Sequence, residues 1–373
     1  MFKMKPAFFI PILAVWVLMI VYTITRGSQA FAQIPTLRWT YIGVLVLGFV
    51  SFFVGMFLDR FLPHAVAKPE SFLGYSFLIF SAYLFFAFLL VDVVRIANHF
   101  FHFTPNFEKL RFWASLIVVS LVTIMMIIGH IKFNHPQVVH LNIESSKPLQ
   151  NKLLKIVAVS DIHIGTSIDK SRLAKYVTLI NAQQPDLVLI AGDLIDRAIK
   201  PVIDQDMDEE LRQIVAPLGV YAVYGNHEYY GEDKNKTADF YKRSNITVLH
   251  DSVALIRDEI YVIGRVDRTD SKRASLESFI EDLDGINPRI LLDHQPYNLQ
   301  DAENNRIDLQ FSGHTHNGQM FPGNLIVKKI FEQGYGYLKK GDTHYYVSSG
   351  LGLWGPQYRI GTQSELVVVD FKY

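Results

Sequence analysis

The first third of the chain is dominated by four long apolar stretches that short polar segments separate. They cover residues 6–25, 39–58, 71–91 and 112–131, and none of them contains Asp, Glu, Lys or Arg. About 20 apolar residues are enough for a helix to cross the hydrocarbon core of a bilayer. One helix of a soluble core can be this apolar, but four in succession predict a transmembrane region over residues 1–132.

The pattern changes at about residue 138, where short β-branched runs alternate with amphipathic ones. It predicts helices over residues 170–183 and 275–283 and an α/β sheet domain over residues 133–373. Because ligands of such sheets bind beyond the carboxyl ends of strands, the polar residues that follow each run are candidate site residues. The predicted strands cover residues 155–160, 187–191, 220–224, 290–292 and 309–312.

Composition narrows the classes of function. The chain has 373 residues, half of them hydrophobic, with 36 Lys+Arg against 36 Asp+Glu. A zero net charge gives no support to a nucleic-acid partner, which usually requires a basic excess. The sequence contains no cysteine, which excludes disulfides, thiolate nucleophiles and zinc sites built on cysteine.

The side of the membrane that carries the α/β domain follows only in part from the sequence. The first apolar stretch is longer than the ~7–15 residues of a signal peptide, which favours an uncleaved span with a cytoplasmic N-terminus. An even number of spans then returns the chain to the cytoplasm. The flanking charges show no bias, since one side carries Lys3, Lys5, Arg60, Lys68 and Lys132 and the other carries Arg26, Arg38, Arg95, Lys109 and Arg111.

Asp92 and Arg95 lie three residues apart at the end of the third stretch. They are interpreted as an interfacial ion pair that ends the span. The alternative is a buried functional pair inside the membrane.

The residues at the strand ends are of the types that bind divalent metal ions through oxygen and nitrogen. If the chain is extended, Asp161 with His163 and His314 with His316 each present two groups to one spot. Asp193 comes from another strand end and is the natural bridge between two ions. Two such ions clamp a phosphoryl centre and activate a hydroxide. Singly, each Asp is as well explained as a turn cap and each His as a core or surface residue, so the prediction rests on the whole set.

Five motifs in order resemble the calcineurin-like metallophosphoesterase superfamily over roughly residues 138–373. They are Asp161-Ile-His163, Gly192-Asp193-Leu-Ile-Asp196, Gly225-Asn226-His227-Glu228, His294 and Gly313-His314-Thr-His316. The last motif and the tail from Gly350 to Arg359 are similar to a membrane-anchored bacterial branch of phosphoesterases. The resemblance implies a four-layer α/β/β/α sandwich, preceded here by the four-helix transmembrane region.

The same resemblance implies two ions, of which manganese is preferred and iron, zinc or another divalent metal is an alternative. The first ion is assigned to Asp161, His163, Asp193 and His316, and the second to Asp193, Asn226, His294 and His314. His227 is expected to act on the phosphoryl group as a catalytic residue rather than as a ligand. Asp293 is a lower-ranked alternative to His294.

Three other residues have two interpretations each. Arg359 is expected either to bind substrate phosphate or to form a plain salt bridge. Asp196 and Glu228 either orient metal ligands or are simply solvated. The segment 350–355 fits a GxGxxG pattern, but it lacks a following βαβ unit and is interpreted as a loop near the metal site.

The expected function is hydrolysis of a phosphoester or pyrophosphate bond at the surface of a bacterial inner membrane, with the catalytic domain in the cytoplasm. The spans suggest a lipid-linked small substrate, for which a UDP-diacylglucosamine-type lipid A precursor is one family-level candidate. Residues 325–331 are read either as a contact with anionic headgroups or as an ordinary amphipathic element. The alternatives are a non-catalytic metal-binding sensor or scaffold and a transporter with a regulatory domain.

Overall fold

The computed structural model describes residues 6–58, 62–145, 147, 153–231 and 233–372. Lys3, Lys5 and Arg60, which entered the topology argument, lie outside these residues. The chain divides into two compact units, Met1–His130 with Gly355–Gln357, and Ile131–Trp354 with Tyr358–Tyr373.

Four long helices make up the described part of the first unit and run on into the start of the second. Each is long and apolar enough to cross a membrane. They extend beyond most of the predicted limits because helical backbone hydrogen bonds continue into the polar flanks, where hydropathy no longer marks them. The helices are α1 (Pro6–Ala30), α2 (Pro35–Leu58), α3 (His64–Phe101) and α4 (Phe107–Asn134).

Asp92 does not end its helix, as the sequence suggested, because α3 continues to Phe101. Its carboxylate accepts from Arg95 Nε at 3.3 Å within α3. It also binds α1, through Arg26 Nη2 at 2.7 Å and the Tyr22 hydroxyl at 2.6 Å. The pair predicted within one helix is therefore part of a polar cluster that joins two helices.

The second unit contains two six-stranded mixed sheets. The first has the order β1-β12-β2-β3-β4-β5, and it is parallel except between β12 and β2. Its strands are β1 (Gln137–Glu144), β2 (Leu153–Val159), β3 (Leu187–Ala191), β4 (Val220–Val223), β5 (Ile246–Val248) and β12 (Glu365–Lys372).

The second sheet has the order β10-β11-β9-β8-β7-β6, with antiparallel pairs only at its two edges. Its strands are β6 (Ser252–Ile256), β7 (Ile260–Gly264), β8 (Arg289–Leu292), β9 (Leu309–Ser312), β10 (Gly336–Lys340) and β11 (Thr343–Val347). The remaining helices are α5 (Lys170–Ala182), α6 (Lys200–Ile203), α7 (Met207–Leu211), α8 (Asn226–Tyr230), α9 (Lys234–Arg243), α10 (Gln300–Asn304) and α11 (Gly323–Ile330).

Three apolar clusters show that the second unit has four layers. One cluster joins the first sheet to α5, α7 and α9, through residues such as Tyr176 and Phe240. A second fills the space between the sheets, where Ile156 and Phe311 are fully buried. The third covers the other face of the second sheet with α10 and the preceding loop. This is the α/β/β/α sandwich expected from the sequence.

The predicted strands all occur, with ends shifted by two residues or fewer. The helix predicted over residues 275–283 was wrong, because only a short 3-10 turn forms at Glu277–Phe279. Leu276 and Ile280 still point into the core, so their apolar spacing reflects packing of a turn and loop rather than a helix.

Candidate metal centre

The predicted ligands lie where strands of the two sheets end. Asp161 and Asp193 follow β2 and β3, and Asn226 follows β4. His294 and His314 follow β8 and β9 of the other sheet. Because these strands are parallel within each sheet, their carboxyl ends meet at one edge, and the polar side chains converge there.

The backbone at the two pairs Asp161/His163 and His314/His316 is not extended, although the sequence-based prediction assumed that it would be. Asp161 and His163 have φ of 52° and 54°, and His314 and His316 have φ of 70° and 49°. These values lie in the left-handed region, so neither pair sits on extended chain. Non-glycine residues adopt this conformation only when surrounding contacts hold them there, and such residues concentrate at functional sites.

Two motif glycines leave room for carboxylate ligands. A Cβ at Gly313 would collide with Oδ2 of Asp161, and a Cβ at Gly225 would collide with Oδ1 of Asp193. Each glycine immediately precedes another ligand, His314 or Asn226. The motif spacing therefore reflects close backbone approach at the site.

The first group of donor atoms comes from Asp161, His163 and His316. The Nε2 atoms of the two imidazoles face each other at 3.2 Å. Oδ1 of Asp161 lies 3.4 Å from His316 Nε2 and 3.8 Å from His163 Nε2. All three residues are at most 5% exposed.

The second group comes from Asn226, His294 and His314. Oδ1 of Asn226 lies 3.2 Å from His294 Nε2 and 2.8 Å from His314 Nδ1. Asp193 stands between the two groups, since its Oδ2 is 3.7 Å from His163 Nε2 and 3.3 Å from His294 Nε2. Asp193 Oδ2 is thus within 3.7 Å of a donor atom of each group, and the sharing of this carboxylate by two ions stays a prediction.

These donor sets fit divalent metal ions. Donors that bind one ion at about 2.1 Å and at tetrahedral or octahedral angles are separated by ~3.0–3.4 Å, close to the spacings seen here. Two imidazole nitrogens at 3.2 Å need a cation or a shared proton between them. Carboxylate, amide and imidazole donors without sulfur suit manganese, iron and zinc.

Hydrogen bonds behind the ligands fix their orientation. His294 Nδ1 donates to the Ala191 carbonyl at 2.7 Å, which leaves Nε2 bare as a donor atom for a metal. The Asp193 Oδ1 atom accepts from the His227 amide at 2.9 Å, and Asp161 accepts from the His314 amide at 3.0 Å. Each carboxylate thus accepts a hydrogen bond from a backbone amide of another motif.

Glu228 is not solvated but ties two motifs together. Its carboxylate accepts from the amides of Asp193 and Gly225 at 3.1 and 2.8 Å, and from Ile195 at 2.9 Å. It also accepts from the Tyr241 hydroxyl at 3.0 Å. No sequence pattern marks Tyr241, whose role arises only from packing of α9.

His227 lies beside the metal ligands, with its Nδ1 3.0 Å from Asp196 Oδ1. Its ring contacts His163 at 4.5 Å between centroids and Trp354 at 6.5 Å. Nδ1 donates to the carboxylate, so Nε2 is the atom that is left for a substrate. Asp196 therefore holds His227, which is a predicted catalytic residue and not a predicted metal ligand, so this contact differs from both of its interpretations.

The electrostatics keep two histidines in the neutral form that metals bind. Burial, assisted by the nearby charge of His294, lowers the pKa of His314 to about 4. Burial also holds the pKa of His316 well below its usual value, against the opposing charge of Asp161. Burial raises the pKa of Asp161, but its contacts with the imidazoles of His316, His163 and His294 outweigh burial and hold that pKa well below its usual value, so this carboxyl is ionised.

Arg359 is placed differently from the predicted phosphate contact. Its side chain has no exposed surface, and it donates to the carbonyls of His316, Ser349, Gly350 and Gly352 at 2.6–3.1 Å. A guanidinium enclosed in this way cannot reach substrate. Arg359 instead holds the glycine-rich segment 350–355 against the end of β2. This segment forms a loop and contains no helix.

An ion pair with Arg273 makes Asp293 unavailable as a metal ligand. Its carboxylate forms a two-pronged ion pair with Arg273, with one branch at 2.9 Å. His294, whose Nε2 lies 3.3 Å from Asp193 Oδ2, is therefore the residue of this block that could bind a metal ion.

Sequence reasoning missed an aromatic shelf beside the second donor group, formed by Phe331 and Tyr297. The Phe331 ring lies 6.4 Å from that of His314 and 4.8 Å from that of Tyr297, and the Arg268 guanidinium lies 4.3 Å above Tyr297. These residues come from separate loops without a motif, so only the fold brings them together.

The fold and the site define a metal-dependent phosphoesterase, and comparison of the sequence with known proteins agrees. Residues 154–318 match the calcineurin-like phosphoesterase family. An uncharacterized metallophosphoesterase of Campylobacter jejuni is 36% identical over 71% of this chain and 70% of its own length. The chain belongs to the calcineurin-like metallophosphoesterase family, and it hydrolyses phosphoester bonds with divalent metal.

Two other relatives cover different parts of the chain. A transmembrane protein with metallophosphoesterase domain from Danio rerio is 28% identical over 93% of this chain and 83% of its own length. An uncharacterized metallophosphoesterase of Aquifex aeolicus is 30% identical over 65% of this chain and 95% of its own length. Together with the four apolar helices, the first of these supports a membrane protein.

Proposed function

We propose that this protein hydrolyses a phosphoester or pyrophosphate bond of a lipid-linked substrate at the membrane surface. The observation that carries the proposal is α11, an amphipathic helix beside the metal centre. Its apolar residues Leu325, Ile326 and Ile330 are 56–60% exposed. None of its residues is buried, and its last turn carries Lys328 and Lys329 without an acidic residue in the helix.

The helix is connected directly to the metal-binding motif. The Thr315 hydroxyl, between His314 and His316, donates to the Gly334 carbonyl at 2.6 Å. Phe331, which follows α11, packs on His314. An apolar substrate tail on α11 would therefore leave its phosphoryl group near the donor atoms. Scattered apolar residues on a surface are ordinary, but several on one short basic helix are typical of a membrane-surface contact.

Along the chain, the first strand of the second unit, which contains the metal centre and is called the catalytic unit below, follows directly on the candidate span α4. Only His135 and Pro136 separate the end of α4 from β1. The connection along the chain is therefore short, at less than about 8 Å, and we propose that the substrate comes from the bilayer itself. Among lipid-linked compounds, a UDP-diacylglucosamine-type precursor of lipid A is the one that we propose to test first.

We propose two ions, preferably manganese, with Asp161, His163, Asp193 and His316 around the first. Asp193, Asn226, His294 and His314 would hold the second. When bound, such ions polarise the phosphoryl oxygens and lower the pKa of water. His227 is held by Asp196 at Nδ1, and when its ring carries a proton on both nitrogens it would give the Nε2 proton to the leaving oxygen of the substrate and keep the Nδ1 proton on Asp196.

The test uses full-length protein in lipid nanodiscs with Mn²⁺. The triple variant Leu325→Ser, Ile326→Ser, Ile330→Ser is compared with Ile286→Ser, an apolar residue of the same unit that is 65% exposed. We expect kcat/KM for bilayer-embedded lipid phosphodiesters and pyrophosphates to fall by about 10-fold or more in the triple variant alone. A soluble chromogenic phosphodiester should be cleaved as before.

Equal losses on both kinds of substrate would contradict a role for α11 in lipid recognition. Absence of turnover on every lipid phosphate and pyrophosphate tested, with the chromogenic substrate still cleaved, would overturn the lipid-linked substrate.

We further propose a bacterial inner membrane with the catalytic unit in the cytoplasm, on the basis of the even number of spans. Because the chain has no cysteine, Val215→Cys gives a single thiol at a residue that is 66% exposed. A membrane-impermeant maleimide should label it in broken cells and not in intact spheroplasts. Labelling in intact spheroplasts would place the catalytic unit outside.

A further inference from the structure

An apolar groove lies between the helices α3 and α4 of the first unit. It has a volume of about 310 Å³, within the range of small ligand pockets. Its lining is apolar apart from Arg111. The groove is lined mainly by Ala87, Leu90 and Val94 of α3 and by Leu110, Ala114 and Val118 of α4.

A second, polar cavity adjoins this groove. Val91, Phe107 and Arg111 line both spaces, which therefore adjoin, and the polar one has a volume of about 20 Å³, which is room for an oxygen atom of a headgroup. The polar cavity is also lined by Arg26, Asp92, Arg95 and Ser115.

The charges around the polar cavity are not balanced. Three guanidinium groups surround it, and Asp92 is the one carboxylate in its lining. That carboxylate is already engaged by Arg26 and Arg95. Among the described residues, none forms an ion pair with Arg111. Since uncompensated charge is costly near a bilayer core, the cavity is suited to an anion.

Unused hydrogen-bond donors point to the same ligand. Nε of Arg26, Nε of Arg111 and Oγ of Ser115 are buried and have no hydrogen-bond partner in the part of the chain that the structure describes. Ser115 is 1% exposed. Leaving buried donors unpaired is costly, and more so for charged groups, so native proteins rarely do so without a ligand.

We propose that the groove and the polar cavity together bind one anionic phospholipid. The guanidinium groups of Arg111 and Arg26 and the Ser115 hydroxyl donate to the phosphate, for which a guanidinium is well shaped. The groove between α3 and α4 holds a segment of an acyl chain. The adjoining apolar groove favours a lipid over free phosphate, which would use the polar cavity alone. This site is separate from the metal centre and does not depend on the proposed substrate.

The test is native mass spectrometry of the full-length protein in detergent, with phosphatidylglycerol, phosphatidylcholine or inorganic phosphate added. We expect one tightly retained phosphatidylglycerol and weaker binding of phosphatidylcholine. Arg111→Gln should reduce phosphatidylglycerol affinity about 10-fold. Lys109→Gln, which removes a charge from the same turn at an exposed residue outside the groove, should not.

A second variant tests the acyl-chain part of the site. Ala114→Phe fills the groove and leaves every arginine in place, so it should also lower phosphatidylglycerol affinity. Unchanged cleavage of a chromogenic phosphodiester and an unchanged melting temperature show that both variants are folded.

Three results would overturn the proposal. Equal retention of the two lipids, or equal effects of Arg111→Gln and Lys109→Gln, would indicate unspecific annular lipid. Displacement of phosphatidylglycerol by inorganic phosphate, with no effect of Ala114→Phe, would indicate a site for free phosphate.

Discussion

Gly225→Ala is expected to damage the metal centre although it adds a single methyl group. Gly225 has φ −98° and ψ −173°, a conformation that alanine also adopts, so the backbone itself is not strained. The added Cβ would lie 2.6 Å from the Asp193 amide nitrogen and 2.8 Å from Asp193 Cγ. Ordinary contact begins at 3.4 Å, so the Asp193 amide and the turn must separate by about 0.8 Å, and the colliding Asp193 Oδ1 atom must move by more than that.

That movement affects the one carboxylate that both donor groups share. A displacement near 1 Å at a reacting centre costs about 100-fold in rate. We therefore expect kcat/KM for a chromogenic phosphodiester to fall by about 100-fold at saturating Mn²⁺. We also expect weaker Mn²⁺ binding and a loss of about 1–3 kcal/mol in the free energy of unfolding from overpacking.

Gly165→Ala is the matched control. It makes the same chemical change in the loop after His163, but its Cβ would meet only Asp196 Cβ, at an ordinary 3.8 Å. We expect kcat/KM and the Mn²⁺ titration to stay within about twofold of wild type. If Gly225→Ala also stays within twofold, or if the two variants lose equally, the steric argument is wrong.

Three further predictions concern single residues. Arg359→Leu should lower the free energy of unfolding by about 3–5 kcal/mol because it leaves buried carbonyls unpaired, and a raised KM at unchanged stability would contradict this. His227→Gln should lower kcat about 100-fold or more without changing the metal content measured by mass spectrometry, and loss of metal would instead make His227 a ligand. In metal-free protein, the pKa of His314 is depressed from 6.5 to about 4, so the stability that it contributes is present above pH 6.5 and lost as the pH falls towards 4. The melting temperature in chelator should fall between pH 7 and pH 5, by an amount equivalent to about 2 kcal/mol, and His314→Gln should remove that part of the decrease.

Local sequence determined the strands, the membrane helices and the identity of the candidate donors. Short apolar, β-branched runs identify strands such as β2 and β3 because a strand that is buried on both faces needs apolar residues at successive positions. The residues after those strands could be predicted to meet, since parallel strands end at a common edge. Four uncharged stretches predict spans for the equally general reason that a bilayer excludes charge.

Tertiary structure decided how those residues are used. The left-handed turns at Asp161 and His314, the enclosure of Arg359 and the four hydrogen bonds to Glu228 depend on contacts between segments far apart in the chain. Arg359 shows the limit most clearly, because an arginine in a glycine-rich tail suits either phosphate or backbone carbonyls equally well. Its burial under the loop, which no local pattern encodes, selects the carbonyls. The cavity beside Arg111 likewise exists only because three helices bring their arginines to one place.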